Sequence, residues 1–168
     1  MKRLTFFAAV LVGIVLTSCS LDQQSQYTPQ LQCRNLICYH ADSLYIDTLK
    51  VDKQDENGVY KMKAIHQGDT VRGVIVLSGV TNTLTGFTIG YDSTQMSVGI
   101  DSISLIKDYL LDTSVPERGI LRFKPAYNYA AFPFHYISLK TGSADMTLTV
   151  ESDSKFSPST IQMTQPVE

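Results

Sequence analysis

Tryptophan is absent, cysteine and histidine occur three times each, and basic residues nowhere gather into a stripe. Each shortage removes a class of function. Without Trp the chain lacks the side chain that most often stacks on sugars. Fourteen basic against sixteen acidic residues, dispersed along the chain, argue against nucleic acid as a partner. The histidines, His40, His66 and His135, form no HExxH motif and no helical pair, so no metalloenzyme signature is present. There is no GxSxG, no Gly-rich phosphate loop and no pair of catalytic carboxylates. We therefore expect no enzyme, no cofactor and no metal. Long apolar runs are missing too, except at the N-terminus.

That exception is informative. Met1-Lys2-Arg3 precede thirteen mostly apolar residues, 4–16, and then Thr17-Ser18-Cys19. A short cationic segment, an apolar run and a small-residue site make a secretory signal peptide, and the run is shorter than the roughly 20 residues a spanning helix needs. The tetrad Leu16-Thr17-Ser18-Cys19 resembles the bacterial lipobox. That resemblance implies cleavage before Cys19, lipidation of its thiol and acylation of its new amino group. One acyl chain binds marginally and two or three bind stably. The expected location is the cell envelope, lipid-anchored to a bacterial, outer membrane. Removing residues 1–18 leaves 12 basic and 16 acidic residues, a formal charge of −4. Residues 19–32, with five glutamines and no apolar periodicity, read as a lipidated tether. The domain is then expected to occupy residues 33–168.

Within that domain the signals are β. Residues 44–51 (LYIDTLKV) and 59–65 (VYKMKAI) flank Asn57-Gly58, a hairpin signal because both residues tolerate positive φ. In residues 70–78 (TVRGVIVLS) both faces are mainly apolar, which suits a central strand. Residues 84–91 (LTGFTIGY) read as a returning strand, and 96–112 as a short strand followed by helical turns. FPFHYISL and DMTLTVES read as a last hairpin about Lys140-Thr141-Gly142-Ser143, and residues 160–164 as a short edge strand. Turn signals about every ten residues predict one all-β domain, an immunoglobulin-like sandwich of about 7–9 strands.

The order of segments carries a wider resemblance. The lipobox, the Gln-rich tether, GDTVRGVIVLSG, FKPAYNYAAFPFHY and GSADMTLTVESDSKFSP together resemble small Bacteroidetes-type lipoproteins with an immunoglobulin-like β-sandwich. The resemblance implies the fold and the envelope location, and it brings no catalytic residues.

Several constellations invite chemistry. Cys33-x4-Cys38-x-His40 has thiol and imidazole donors, but no second Cys or His pair follows to complete a zinc site. Ser104-Leu-Ile-Lys107 with Lys140-Thr-Gly142 imitates elements of penicillin-recognising enzymes, yet the SDN element is missing and Lys140-Thr-Gly-Ser reads as a turn. Asp52, Asp55, Glu56 and Asn57 lack the spacing of a calcium loop and read as a solvated turn. Lipidation of Cys19 leaves Cys33 and Cys38 as an even pair in an oxidising compartment, which favours a disulfide over two separate buried thiols. An extended strand would hold their Cα atoms about 16 Å apart, against the roughly 4.4–6.8 Å a disulfide needs, so the chain must fold back near Asn35. Of the aromatic group around residues 123–136, Tyr127 and Tyr129 are the candidates for contact with a ligand or partner, a protein or glycan at the cell surface. Asp-Ser/Thr triplets mark Ser43, Thr48, Thr70, Ser93 and Ser102 as candidate O-glycosylation sites, since they resemble the signal used on exported proteins of that bacterial group. The expected role is a membrane-anchored, non-enzymatic binding or structural module. The alternative is an accessory subunit of a larger envelope assembly, for nutrient uptake or fimbriae, pairing through an edge strand.

Overall fold

The computed structural model describes residues 27–168. The expected signal peptide, Cys19 and most of the expected tether lie outside these residues. Among the described residues, no helix is long and apolar enough to cross a membrane.

Among the described residues, eleven strands form two sheets packed face to face. They are β1 (Gln30–Tyr39), β2 (Ile46–Thr48), β3 (Val51–Gln54), β4 (Tyr60–Met62), β5 (Thr70–Ser78), β6 (Leu84–Tyr91), β7 (Met96–Ile100), β8 (Ile120–Arg122), β9 (Tyr129–Ser138), β10 (Gly142–Ser152) and β11 (Ser159–Val167). The first sheet has the order β2-β1-β5-β9-β7, and the second β3-β4-β11-β10-β6-β8. All pairings between named strands are antiparallel except that of β4 with β11. The expected all-β sandwich is thus observed, with more strands than the 7–9 that turn spacing suggested. Short edge pieces such as β2, β3 and β8 account for the excess.

The core lies between the sheets, where inward-facing residues alternate with outward ones. Phe132 and Phe134 of β9, Ile75 and Leu77 of β5, and Phe87 and Leu148 of the facing sheet are fully buried. Phe87 meets Phe132 edge-on across the interface, with ring centroids 5.5 Å apart. One polar tie crosses this core. The buried Tyr136 hydroxyl donates to Gln165 Oε1 at 2.8 Å, and Gln165 Nε2 donates to the Lys63 carbonyl at 2.8 Å. Both partners are thereby satisfied, as burial demands.

Several expectations need correction. The tether does not extend to residue 32, because β1 begins at Gln30 and pairs it with Ser78. Alternation of glutamine with Leu31 and Cys33 was hidden by the polar composition. Residues 44–51 do not form one strand: β2 lies in the first sheet and β3 in the second, with Leu49 buried where the chain crosses over. The hairpin at Asn57-Gly58 does form between β3 and β4, with Gly58 at φ 82°. Two other turns join different sheets: β5 to β6, and β9 to β10. They reverse the chain without pairing the strands that flank them, a distinction that turn chemistry does not encode. Residues 160–164 belong to a full interior strand, β11, which lies between β10 and β4. The strand and helical turns read in 96–112 are present as β7 and two 3-10 turns, Ile103–Leu105 and Lys107–Tyr109.

Candidate functional site

The pairing of β1 with β5 carries one irregularity. Arg34 pairs with Val74 and Ile37 pairs with Arg72, so β1 advances three residues where β5 retreats two. The one extra residue is a β-bulge, and Asn35 sits there at φ 54°. Asn tolerates this left-handed conformation because its short side chain bonds locally. Opposite the bulge, β5 carries Gly73. A Cβ there would lie 2.6 Å from Leu36 Cδ2 and 3.0 Å from Phe134 Cε1, so glycine is the residue that leaves room for Leu36.

A bulge of one residue switches parity. Cys33 is odd and Cys38 even, yet both face inward, opposite Ile75 and Val71. Both thiols are free. Their partners are four residues apart on β5, about 13 Å at strand rise, far beyond disulfide reach. The expected Cys33–Cys38 disulfide is therefore not formed, since the chain bulges at Asn35 without folding back. Cys33 opens into an apolar cleft of about 310 Å³ between β1 and the β3-β4-β11 edge, with Leu31, Leu36, Tyr60, Met62 and Ile161 among its walls. Burial pushes its thiol up to about 12, which leaves it protonated and unreactive.

Cys38 has a different neighbourhood. Pairing of β1 with β5 brings it beside the turn that precedes β5, His66-Gln67-Gly68-Asp69. Asp69 is 1% exposed and Cys38 is 2% exposed. The Asp69 carboxylate accepts from the amides of Ala41 at 3.0 Å and His66 at 2.9 Å, and its Oδ2 lies 2.9 Å from His40 Nδ1. Cys38 Sγ donates to the same oxygen at 3.6 Å, and His66 Nδ1 lies 3.8 Å from it. Burial raises the carboxyl's pKa, but the amides of His66 and Ala41 together with His40 outweigh that, and the group lies below its ordinary range. Burial, reinforced by the charge of Asp69, pushes the Cys38 thiol up to about 12. The His40 ring stacks on Tyr45 at 5.6 Å and meets the His66 ring at 6.0 Å.

This constellation was not legible from spacing. Proximity along the chain groups Cys33, Cys38 and His40, whereas the fold excludes Cys33 and adds His66 and Asp69. The partners stand about thirty residues away, and only the β1–β5 register makes them neighbours.

A second His–Asp pair stands on the outer surface of the first sheet. His135 Nδ1 lies 2.8 Å from Asp101 Oδ1, and Arg72 Nη1 lies 3.9 Å from Asp101 Oδ2. Gly99, opposite His135 in the register, gives the imidazole room, because a Cβ would lie 2.6 Å from its Cε1. Arg72 also covers the Tyr39 ring at 5.9 Å. Apolar residues also stand outward, Ile37 on β1, Val74 and Val76 on β5, and Ala131, Pro133 and Ile137 on β9, sharing the face with Gln30, Gln32, Arg34, Thr70 and Ser78.

The structure separates the two candidate tyrosines. Tyr129 opens β9 on this outer surface and is 56% exposed. Tyr127 is half-buried and tilts onto the Tyr109 ring, with centroids 4.6 Å apart. Ser43, Thr48, Ser93 and Ser102 are exposed, and Thr70 is half-buried at the start of β5.

No protein-family model matches the chain, and no curated protein matches it. Among solved structures, a structure described as BspA_C_mut is similar at 10% identity and TM-score 0.40, over 83% of this chain and 47% of that one. Domains 4 and 5 of the S-layer protein SbsC are similar at 14% identity and TM-score 0.35, over 72% of this chain and 51% of that one. A family 123 glycoside hydrolase from Clostridium perfringens is similar at 13% identity and TM-score 0.37, over 83% of this chain and 27% of that one. The chain thus spans about half the length of the first two. At these scores the likenesses are loose, and the fold stands on its own strand pairing.

Proposed function

We propose that the chain is an exported, lipid-anchored protein of the cell envelope that acts as a non-enzymatic binding module. Its binding surface is the outer face of the β2-β1-β5-β9-β7 sheet, and its partner is a protein. The observation that carries this reading is the apolar group of Val74, Val76, Ala131 and Pro133, neighbours on the outer side of β5 and β9 and flanked along the strands by Ile37 and Ile137. A contiguous outward apolar patch is the mark of a contact surface. Arg34 and Arg72 on the same face favour a partner that sets carboxylates around an apolar centre. A protein fits better than a glycan, because Tyr127 is half-buried against Tyr109 and the chain has no Trp to stack on a sugar.

Anchoring rests on the lipobox resemblance at Cys19, a residue beyond the described structure. Two experiments test the reading. Labelled fatty acid should enter the native protein and be lost in Cys19→Ala; a wild-type chain without label overturns the anchor. Crosslinking on native membranes, followed by purification, should recover a defined protein partner; recovery of a lone monomer overturns the binding role.

A second reading has its own observation. β2 is an edge strand, Ile46 on it is exposed, and Leu44 and Tyr45 just before it are exposed as well. Edge strands with apolar side chains invite a further strand from another chain. This fits an accessory subunit of an envelope assembly, and Ile46→Pro would then abolish assembly. Modification at Ser43, Thr48, Thr70, Ser93 or Ser102 is proposed on the triplets alone; an intact mass equal to the lipidated polypeptide overturns it.

A further inference from the structure

We propose that Cys38, His40, His66 and Asp69 form a binding site for a zinc-class divalent cation. The site is independent of the outer-face reading, for it lies where the end of β1 meets the turn before β5.

Donor spacing carries the inference. Ligand atoms from Cys38, His40 and Asp69 all lie within 4.8 Å of one another. About Asp69 Oδ2, His40 Nδ1 stands at 2.9 Å, Cys38 Sγ at 3.6 Å and His66 Nδ1 at 3.8 Å. Zinc bonds of roughly 2.0–2.3 Å at tetrahedral angles set donor atoms roughly 3.3–3.7 Å apart. Measured from Asp69 Oδ2 the separations bracket that range; Cys38, His40 and Asp69 form the compact part of the set, and His66 completes it by swinging its exposed ring inward. Its chemistry fits as well. One thiolate, two imidazoles and one carboxylate make a borderline donor set that suits zinc, whereas calcium and magnesium take oxygen.

Charge and support agree with this assignment. On binding, the Cys38 S–H proton leaves to solvent, and His40 binds as the neutral imidazole that carries its proton on Nε2, with Nδ1 toward the ion. Asp69 is already ionised. The thiolate and carboxylate together carry two negative charges, which neutralise a dication where it is withdrawn from water. The amides of Ala41 and His66 hold the carboxylate from behind, and Tyr45 stacks on His40, so two ligands have fixed orientations. His66, its side chain 66% exposed, would be the fourth ligand, added from the solvent side.

Cobalt is the probe. The full chain, purified in detergent under reducing conditions, should develop thiolate-to-cobalt charge-transfer absorption and the intensified visible bands of a tetrahedral site when titrated with Co²⁺. One equivalent of Zn²⁺ should abolish both. Cys38→Ser should remove the charge-transfer absorption, whereas Cys33→Ser should leave it. His66→Ala, whose side chain is too exposed to be needed for folding, should weaken Zn²⁺ affinity about tenfold or more. Absence of charge-transfer absorption in the wild-type chain, its survival in Cys38→Ser, or an unchanged affinity in His66→Ala would each overturn the site.

Discussion

The two outer faces of the sandwich obey different rules. On the β3-β4-β11-β10-β6-β8 sheet, the outward positions of β10 and β11 are Asp145, Thr147, Thr149 and Glu151, with Thr160, Gln162 and Thr164. Thr149 and Thr160 hydroxyls meet at 3.3 Å, and Thr164 donates to Asp145 at 2.8 Å. Threonine serves such a surface well, for it keeps the β-branched shape a strand favours and offers water a hydroxyl. On the other sheet, Val74, Val76, Ala131 and Pro133 stand together at the outward positions of β5 and β9, among Gln32, Arg34, Arg72 and His135. Strand propensity alone would be met by either choice, so the contrast has another cause. Under the binding role proposed above, the second face is the one that would meet a partner.

The apolar outer face depends on the bulge in β1, and so the comparison can be broken from inside the sheet. Gly73→Val would drive a branched side chain into Leu36, Phe134 and the Arg34 carbonyl, the last 3.2 Å from the added Cβ. Leu36 can turn aside, but the Arg34 carbonyl belongs to the strand that forms the bulge. The expected loss is about 2–3 kcal/mol in denaturant unfolding, as for overpacking in a close-packed core. Gly90→Val on β6, where the nearest atoms to an added Cβ are 3.8 Å away, should cost under about 1 kcal/mol. Equal losses at the two positions would show that the bulge imposes no special constraint on β5.

A substitution on the surface itself tests the functional half of the contrast. Val76→Lys places a charge in the middle of the apolar face, whereas Thr149→Lys places one on the hydroxylated face. If that face is the contact, the first should weaken capture of a partner by about tenfold or more, near 1.4 kcal/mol, with little change in unfolding. The second should leave capture unchanged. If both variants capture the partner like wild type, the apolar face is not the contact.

Much of the fold was legible in advance, and the limits have physical causes. β5 announced its central place because residues 70–78 are apolar on both faces, and Asn35 was recognisable as a residue for an unusual backbone. What local pattern cannot express is which sheet a strand joins. The turns after β5 and β9 look like hairpin turns and act as crossovers, since the partner is chosen by burial of distant faces. The Cys38–His40–His66–Asp69 cluster was invisible for the same reason: its two halves meet only when β1 and β5 are in register. Cys33 looked like the natural companion of Cys38 by proximity in sequence, and a single bulge residue sends the two to separate neighbourhoods.

A smaller effect should come from making the faces alike. Thr147→Val with Thr149→Val extends the valine pattern to the hydroxylated face while keeping the strand shape. Stability should change by no more than about 0.5 kcal/mol, because exposed β-branched residues exchange at little cost. Self-association, read by light scattering, should nevertheless rise as the exposed apolar area grows. Unchanged solubility would mean that apolar character alone does not distinguish the two surfaces.

The smallest expected effect is none, and it probes the bulge from its other side. A Cys33–Cys38 disulfide would pull the chain between them into a closed loop and lift Arg34 and Ile37 out of their pairing with Val74 and Arg72. Ile37 would then leave the outer face, and the asymmetry of the two surfaces would shrink. Closing so short a loop would also be worth about 2 kcal/mol, lost on reduction. With the thiols free and their strand partners about 13 Å apart, reductant should leave the unfolding midpoint unchanged. Both thiols should titrate in denaturant without prior reduction. A midpoint that falls on reduction would mean that β1 closes on itself there, and that the flat apolar face built on it does not persist in the oxidised protein.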